Sequence, residues 1–216
     1  MKGLTDNMTT DLSVMLIRHG ESEANRRNVL VSYSGDPGLT NTGWNEARQL
    51  ASEWMEESIT AVYSSPLLRA RQTAAAFAEG RPELAVQIDQ RLHEIGLGNW
   101  DGRAIPEIEK TDGEHYQLWK ADPETGIPDG GEPLSAVGAR VASFLADMQA
   151  RYAAGLVIAV SHADCLKAAC LQALDAPWTA AQWLHLTNAS GIYLAWRKSR
   201  WQVMIYPPSP LGRLGR

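Results

Sequence analysis

Ser13-Val14-Met15-Leu16-Ile17 is followed at once by Arg18-His19-Gly20-Glu21-Ser22. The apolar run predicts a short buried strand, and the change to glycine and polar residues predicts a loop at its carboxyl end. Ligands of open α/β sheets bind in the crevice at the carboxyl ends of the strands. Arginine supplies a planar fork of donors suited to phosphate, and histidine supplies a nucleophilic or proton-carrying nitrogen. The segment therefore suggests phosphoryl chemistry, although such a tripeptide alone is also typical of a surface turn.

Length and composition are those of an ordinary globular protein. The 216 residues suffice for one domain with a sizeable core, or at most two small ones. A hydrophobic content of 44% and a charged content of 21% are typical of soluble proteins. The net charge of −5 argues against nucleic acid or an anionic membrane as the main partner. It allows an anionic small substrate, because local arginines can dominate one cavity of an acidic protein.

The lack of recognisable targeting signals and the expected state of the two cysteines both favour the cytoplasm. No apolar run approaches the roughly 20 residues that span a bilayer. The segment from Met1 to Asp11 lacks the basic start and apolar centre of a signal peptide. Cys165 and Cys170 lie five residues apart in a predicted helix, so they point to different faces. We expect them to be reduced, buried and inert.

Strand-like apolar runs alternate with helical patterns along the chain. Strands are predicted at 13–17, 61–64, 86–89, 156–160, 185–187, 192–196 and 202–206. Helices are predicted at 43–57, 67–78, 105–119, 134–151 and 163–173. The run at 156–160 is apolar throughout, as in a central strand that helices cover on both faces. The alternation predicts an α/β protein, a three-layer α/β/α sandwich with a mostly parallel sheet and an antiparallel edge strand.

This fold is expected as a single domain over residues 11–207, with loosely ordered ends at 1–10 and 208–216. The irregular region 92–131, rich in glycine and proline, is a candidate lid insertion over the carboxyl edge of the sheet. Trp100 and Trp119 are placed in this lid, whereas Trp44, Trp54 and Trp183 are expected to pack in cores or between helices.

Two further basic side chains fall at strand ends. Arg69 lies in the first turn of a helix that follows a strand, where free N–H groups and the helix dipole favour anions. Arg69 and Arg71 cannot face the same way, and Arg69 is the candidate; alternatively both are solvated. His162 ends the strand at 156–160 and starts a helix, which is the layout of His19. A lone histidine is more often structural, but two at the ends of central strands would face one crevice.

Glu94 stands in a glycine-rich loop shortly after the third predicted strand. A carboxyl group that is partly buried beside an active site can keep its proton near neutral pH and serve as a general acid. The alternative is an exposed loop carboxylate.

These segments together resemble a known family. Spaced motifs occur in the order typical of the histidine phosphatase superfamily: Arg18-His19-Gly20-Glu21, Asn25, Leu39-Thr40 with Gly43, Ser64-Ser65-Pro66-Leu67 with Arg69-Ala70 and Gln72-Thr73, Glu94, Gly131-Glu132, and Ser161-His162. The chain is most similar to the phosphoglycerate mutase-like branch, which includes cofactor-dependent mutases and small-molecule phosphatases. The resemblance runs from about Val14 to Ala169, most of the chain.

The resemblance implies that His19 is the nucleophile and becomes a phosphohistidine. Glu94 would protonate the leaving oxygen and then activate water. No metal and no cofactor are implied. The phosphoryl group and substrate would be held by a set of surrounding residues: Arg18, Asn25, Arg69, His162 and Ala163.

Elementary chemistry agrees with these roles. In-line phosphoryl transfer mainly requires that groups be positioned and that equatorial oxygens be neutralised. His19 must attack through an unprotonated nitrogen, and nearby arginines favour its neutral form. We expect a backbone carbonyl to hold its other ring nitrogen and so to fix the tautomer.

The chain also departs from the family pattern. Ala163-Asp164 stand where the family often has two glycines. The extra carboxylate either caps the following helix, which we favour, or repels a strongly anionic substrate. Gly38 indicates that the loop Ser32 to Gly38 has an unusual shape, with consequences for specificity.

The lid decides between two related reactions. A mutase must hold its intermediate away from water under a substantial lid, whereas only 37 residues separate Glu94 from Glu132. We therefore predict a phosphatase that acts on a small phosphorylated metabolite, as a monomer or homodimer. A cofactor-dependent phosphoglycerate mutase is the alternative, and a non-catalytic phosphate-binding domain is a further one. Four residues are plausible on the substrate side, or else solvated surface: Arg26, Arg27, His115 and Tyr116.

Overall fold

The computed structural model describes residues 11–204, in which one six-stranded sheet lies between two layers of helices. The strands are β1 (Leu12–Arg18), β2 (Ile59–Ser64), β3 (Val86–Ile88), β4 (Gly155–Ser161), β5 (Gly191–Arg197) and β6 (Arg200–Met204). The α-helices are α1 (Glu23–Arg26), α2 (Asn41–Glu53), α3 (Leu68–Ala78), α4 (Ile105–Thr111), α5 (Gly113–Ala121), α6 (Leu134–Arg151) and α7 (Ala163–Leu174).

The sheet has the order β3-β2-β4-β1-β5-β6. The first four strands in this order run parallel, and β5 and β6 are antiparallel to their neighbours. The predicted sandwich with a mostly parallel sheet is confirmed, and its antiparallel edge consists of two strands. Arg18 at the end of β1 pairs with Ser161 at the end of β4. The residues that follow these two central strands therefore start from the same point of the sheet.

Alternating side chains of the central strands fill two separate cores. Val14 and Leu16 face the core under α6 and α7, whereas Met15 and Ile17 face the core under α2 and α3. This is the two-residue periodicity of a strand whose two faces are both covered. The strands whose carboxyl ends carry the loops are therefore packed between two layers of helices.

The region expected as a lid folds against this edge with a small core of its own. Trp100, Ile108 and Tyr116 are buried there, and Trp119 packs against them. Asp101 ties the lid to the neighbouring loop, because its carboxylate accepts the backbone N–H groups of Ser32 and Tyr33 at 2.7 and 3.0 Å.

Three expectations were wrong. The helix at 105–119 is broken at Asp112, whose carboxylate accepts the indole N–H of Trp100 at 2.9 Å. Residues 185–187 form no strand. The carbonyl of Leu186 accepts a hydrogen bond from Arg18 Nη1, and that of Thr187 accepts one from the N–H of Ser190, so neither pairs with another strand. Trp183 is 79% exposed and not packed in a core.

Several expectations concern the ends and surfaces of the chain. The predicted domain end at residue 207, the loosely ordered termini and the end of the strand at 202–206 lie outside the described residues. Cys165 and Cys170 are free and buried as expected, and burial raises the pKa of the Cys165 thiol to about 11. Within residues 11–204, no helix combines the length and the apolar character needed to cross a bilayer.

Candidate active site

His19 follows β1 and lies at the centre of the site. It is buried, and its Nδ1 lies 2.7 Å from the carbonyl oxygen of Gly20. The carbonyl can only accept, so Nδ1 carries the proton and Nε2 keeps its lone pair. Nε2 receives the Nε–H of Arg69 at 3.1 Å. Burial, and next the charge of Arg69, lower the pKa of His19 well below 6.5. The ring is neutral at neutral pH and presents an unprotonated nitrogen.

Two glycines allow the His19 loop to sit directly on α2. A Cβ added to Gly43 would lie 2.0 Å from the carbonyl oxygen of Glu21, and one added to Gly20 would lie 2.5 Å from that of Gly43. The N–H of Gly20 also donates to Thr73 Oγ1 on α3 at 3.0 Å. The loop is thus clamped between two helices, which fixes the direction of the imidazole.

The two arginines reach the site from different elements. Arg69, in the first turn of α3, is 3% exposed and donates through Nη2 to the carbonyl of Val31 at 2.9 Å. Arg18, the last residue of β1, donates through Nη1 to the carbonyl of Leu186. Arg71 is exposed and lies near Asp36, so Arg69 is the member of the pair that lies beside His19.

His162 directly follows β4 and lies beside His19, with 5.1 Å between the two ring centroids. The two histidines therefore meet, as the strand-end pattern predicted. Nε2 of His162 lies 2.8 Å from Ser65 Oγ, and Nδ1 of the same ring lies 3.7 Å from Glu94 Oε2. A hydroxyl that donates to Nε2 leaves the proton on Nδ1. Burial, followed by the charge of Arg69, lowers the pKa of His162 well below 6.5, so the contact with Glu94 joins a neutral ring to the carboxyl group.

Glu94 is a buried acid, not an exposed loop carboxylate. Its side chain is 13% exposed, and Oε1 accepts the N–H of Ile95 at 2.9 Å. Burial, and second the nearby carboxylate of Asp164, raise its pKa from 4.5 to about 7. Glu94 can therefore give up a proton, or take one back, at neutral pH.

Asn25 is oriented by its neighbours. Its Oδ1 accepts the N–H of Ser22 at 3.0 Å and the amide of Asn188 at 3.1 Å. Because the oxygen is occupied, the amide NH₂ is the group available to a ligand. Asn188 also donates to the carbonyl of His19 at 3.1 Å. It therefore positions two site residues at once.

A cavity of about 150 Å³ opens among these side chains. The predicted residues that line it are Arg18, His19, Asn25, Arg69, Glu94 and Ala163. Three buried nitrogens have no hydrogen-bond partner among the described residues: Arg18 Nε, Arg69 Nη1 and His162 Nδ1. The two arginines line the cavity, whereas the predicted residue His162 lies behind the lining. Buried donors without acceptors are costly unless a ligand uses them. Donors grouped around a neutral nucleophile suit a phosphoryl group.

The four residues suggested for the substrate side lie away from the cavity, and the expected role of Asp164 is corrected. Arg26 and Arg27 are exposed, Tyr116 belongs to the lid core, and His115 lies 3.0 Å from the carbonyl of Ile127. Asp164 makes no capping hydrogen bond, because His162 occupies the N-cap of α7. The carboxylate pairs instead with Lys167 at 3.1 Å and lines the cavity, so the favoured capping interpretation was wrong.

Sequence reasoning missed the supporting residues. Ser65 lies inside the motif Ser64-Ser65-Pro66-Leu67, and its hydroxyl could have been recognised there. Asn188 lies between the predicted strands at 185–187 and 192–196, where the sequence gave no signal. Within residues 11–204, no group of three or more His, Cys, Asp or Glu side chains is arranged to hold a metal ion.

Comparison with known proteins places this geometry among phosphatases. The model of the histidine phosphatase superfamily (branch 1) matches residues 14–206. The chain is 35% identical over 153 residues to phosphoserine phosphatase 1 of Hydrogenobacter thermophilus, covering 70% of this chain and 71% of that protein. It is 30% identical over 184 residues to the adenosylcobalamin/alpha-ribazole phosphatase of Salmonella typhimurium, covering 85% and 89%. Some other curated relatives are longer, and the chain spans 51% of their length.

A solved structure gives the same result. The chain superimposes on a mycobacterial glucosyl-3-phosphoglycerate phosphatase in complex with VO3 with a TM-score of 0.81. The sequences are 26% identical, and the match covers 90% of this chain and 98% of the other.

Proposed function

This chain belongs to the histidine phosphatase superfamily, and we propose that it hydrolyses a small phosphomonoester through a phosphohistidine at His19. It is an enzyme that hydrolyses phosphoesters, in line with relatives that are named phosphatases. The observation that carries the proposed mechanism is the state of His19. Its Nε2 is unprotonated and lies among buried donors that have no acceptors of their own among the described residues.

In the first step His19 Nε2 attacks phosphorus, so that an N–P bond forms as the P–O bond to the leaving group breaks. Glu94, with a pKa of about 7, gives its proton to the departing oxygen. Arg69 Nε–H, which now occupies the lone pair of Nε2, would turn to a phosphoryl oxygen when substrate enters.

In the second step water attacks the phosphohistidine. The Glu94 carboxylate takes a proton from that water, the N–P bond breaks, and phosphate leaves with His19 restored. Arg18, Arg69 and Asn25 would donate to the equatorial oxygens in both steps. Neither step of the proposed reaction is routed through a metal or a cofactor.

A phosphoglycerate mutase was the alternative from sequence. The relatives described above are named as phosphatases, and none of the findings favours a mutase. A non-catalytic phosphate-binding domain would not need a buried carboxyl group with a pKa of about 7, such as that of Glu94, beside the histidines.

The test is phosphate release by the purified chain from a panel of alkyl phosphomonoesters, with and without a strong chelator. The proposal expects turnover that the chelator leaves unchanged and that His19→Gln abolishes. Arg71→Gln is the matched control, because that arginine lies on the same helix but is exposed. Isomerisation of a phosphoglycerate that outruns phosphate release would overturn the proposed hydrolysis.

A further inference from the structure

One wall of the catalytic cavity is the loop that follows α1. Val29, Leu30 and Val31 line the cavity there, together with Arg69 and His19. Residues 30–38 belong to no helix or strand, so the position of this loop depends on the contacts that it makes with its neighbours.

The lid holds the loop on the side that precedes Val31. The N–H of Leu30 donates to the carbonyl of Arg103 at 2.9 Å, and the N–H of Gly102 donates to the carbonyl of Leu30 at 2.8 Å. These two backbone hydrogen bonds fix the chain as it enters the wall of the cavity.

Asp101 of the lid holds the loop on the side that follows Val31. Its Oδ1 accepts the N–H of Ser32 at 2.7 Å, and its Oδ2 accepts the N–H of Tyr33 at 3.0 Å and both the N–H and the hydroxyl of Ser34, at 3.0 and 2.9 Å. Burial acts to raise the pKa of Asp101, but these hydrogen bonds outweigh it and hold the pKa below its usual 3.8. The carboxylate is therefore charged at neutral pH, and the hydrogen bonds to it are of the strong, charge-assisted kind.

A single peptide group joins Asp101 to Arg69. The N–H of Ser32 and the carbonyl of Val31 are the two ends of one planar trans peptide, so they point in opposite directions. The N–H donates to Asp101 at 2.7 Å, while the carbonyl accepts Nη2 of Arg69 at 2.9 Å. An anion at one end and a cation at the other polarise the peptide, which strengthens both hydrogen bonds.

The carbonyl of Val31 matters most when substrate is bound. Nη1 of Arg69 has no partner among the described residues, and the Nε–H that now reaches His19 would turn to a phosphoryl oxygen. The hydrogen bond to Val31 then remains to orient the guanidinium group. Its direction is set by the peptide that Asp101 holds.

We propose that Asp101 is a positioning residue for phosphoryl transfer, because it holds the peptide between Val31 and Ser32 so that its carbonyl aims Arg69 at the phosphoryl group. The inference rests on the proposed phosphatase function and adds a residue outside the cavity to it. Asp101 is not among the described residues that line the cavity, so it acts through Arg69 and not on the substrate.

Asp101→Asn tests the proposal, because an amide keeps one accepting oxygen and loses the other along with the charge. We expect kcat/KM to fall about tenfold, as for the loss of a hydrogen bond to a charged group. The loss should be equal for an alkyl phosphate and for p-nitrophenyl phosphate, since Arg69 acts on the phosphoryl group that both share. Asp122→Asn is the matched control and should leave kcat/KM unchanged, because that carboxylate accepts hydrogen bonds within the lid, from Glu124 and Thr125.

A double-mutant cycle shows whether the effect passes through Arg69. Lysine at this position keeps the charge but lacks the planar fork that joins Val31 to His19. Asp101→Asn should therefore cost less than about twofold when it is added to Arg69→Lys.

Nuclear magnetic resonance reads the same coupling without turnover. The Nε–H of Arg69 is buried and hydrogen-bonded, so it should give a ¹H–¹⁵N resonance that is assigned by its loss in Arg69→Lys. Asp101→Asn should move or broaden this resonance, and Asp122→Asn should not. Ser34→Ala removes only the hydroxyl donor to Asp101 and should move the resonance less, so the test does not depend on the stability of Asp101→Asn.

The outcomes separate this role from the function beneath it. An unchanged kcat/KM, a loss that is equally large in the Arg69→Lys background, or an Arg69 resonance that stays in place overturns the positioning role and leaves the phosphatase intact. Failure of the unmodified enzyme to hydrolyse any phosphomonoester overturns the proposed function, and the Arg69 resonance still reports whether Asp101 positions that arginine.

Discussion

Replacement of Glu94 by glutamine should slow the enzyme in proportion to how much the leaving group needs a proton. Glutamine preserves the size of the side chain but cannot donate an acidic proton to an alkoxide. A general acid typically contributes about 10²–10⁴-fold, so kcat/KM for an alkyl phosphate should fall by that factor. For p-nitrophenyl phosphate, whose leaving group departs without protonation, kcat/KM should fall by less than about tenfold.

The size of the effect follows from the environment of Glu94. At an ordinary pKa of 4.5, about one carboxyl group in 300 would be protonated at pH 7, whereas a pKa of about 7 keeps about half of them protonated. Burial and Asp164 therefore maintain the acid form where the enzyme needs it. Because the acid must be protonated for the first step, kcat/KM for alkyl phosphates in the unmodified enzyme should decline as the pH rises above about 7.

Stopped-flow and steady-state assays with both substrates measure these effects. The same carboxylate is proposed to activate water in the second step, so Glu94→Gln should give a burst of nitrophenol followed by slow turnover. Glu83→Gln, on the loop before β3, is the control. Equal losses of kcat/KM for the alkyl and aryl substrates, or no loss for either, would refute the assignment of Glu94 as general acid.

Three further perturbations test the surroundings of the site. Asp164→Asn removes a like charge that raises the pKa of the general acid, so the alkaline limb of the pH–kcat/KM profile should move to lower pH; a limb that stays in place contradicts this coupling. Ser65→Ala removes the hydrogen-bond partner of His162 Nε2 and should lower kcat/KM about tenfold, read against an unchanged circular dichroism spectrum. Gly43→Ala forces a Cβ to within 2.0 Å of a carbonyl oxygen, so it should lower the free energy of unfolding by about 1–3 kcal/mol in denaturant titrations. Gly113→Ala, which has open space around it, is the control and should leave the free energy of unfolding unchanged. Equal effects of the two substitutions would refute the close approach.

Periodicity predicted most of the fold because the central strands are buried on both faces. The runs at 156–160 and before Arg18 are mostly apolar, so their composition alone predicts that they are buried. The break at Asp112 could not be predicted in this way, since it depends on a hydrogen bond from Trp100, twelve residues earlier in the chain. Residues 185–187 look like a strand locally, but their backbone is used by Arg18, which lies 168 residues away from its partner Leu186.

The site was predictable where chemistry and strand ends coincide. His19 and His162 follow two strands, and their ring centroids lie 5.1 Å apart because those strands are neighbours. The role of Asp164 was not predictable, because a side chain in the first turn of a helix can cap it or face a cavity, and only the tertiary packing decides. Asn188 gave no local signal, since its partners are 163 and 169 residues away.

The most direct test of the central claim is to trap the covalent intermediate. The enzyme is mixed with p-nitrophenyl phosphate that is radiolabelled in the phosphoryl group, quenched in alkali within milliseconds and digested, and the labelled peptide is sequenced. Attack by Nε2 predicts an acid-labile, alkali-stable label on the peptide that contains His19, absent from His19→Gln and accumulating in Glu94→Gln. Full turnover with no labelled peptide, or a label on another residue that survives in His19→Gln, would contradict the account.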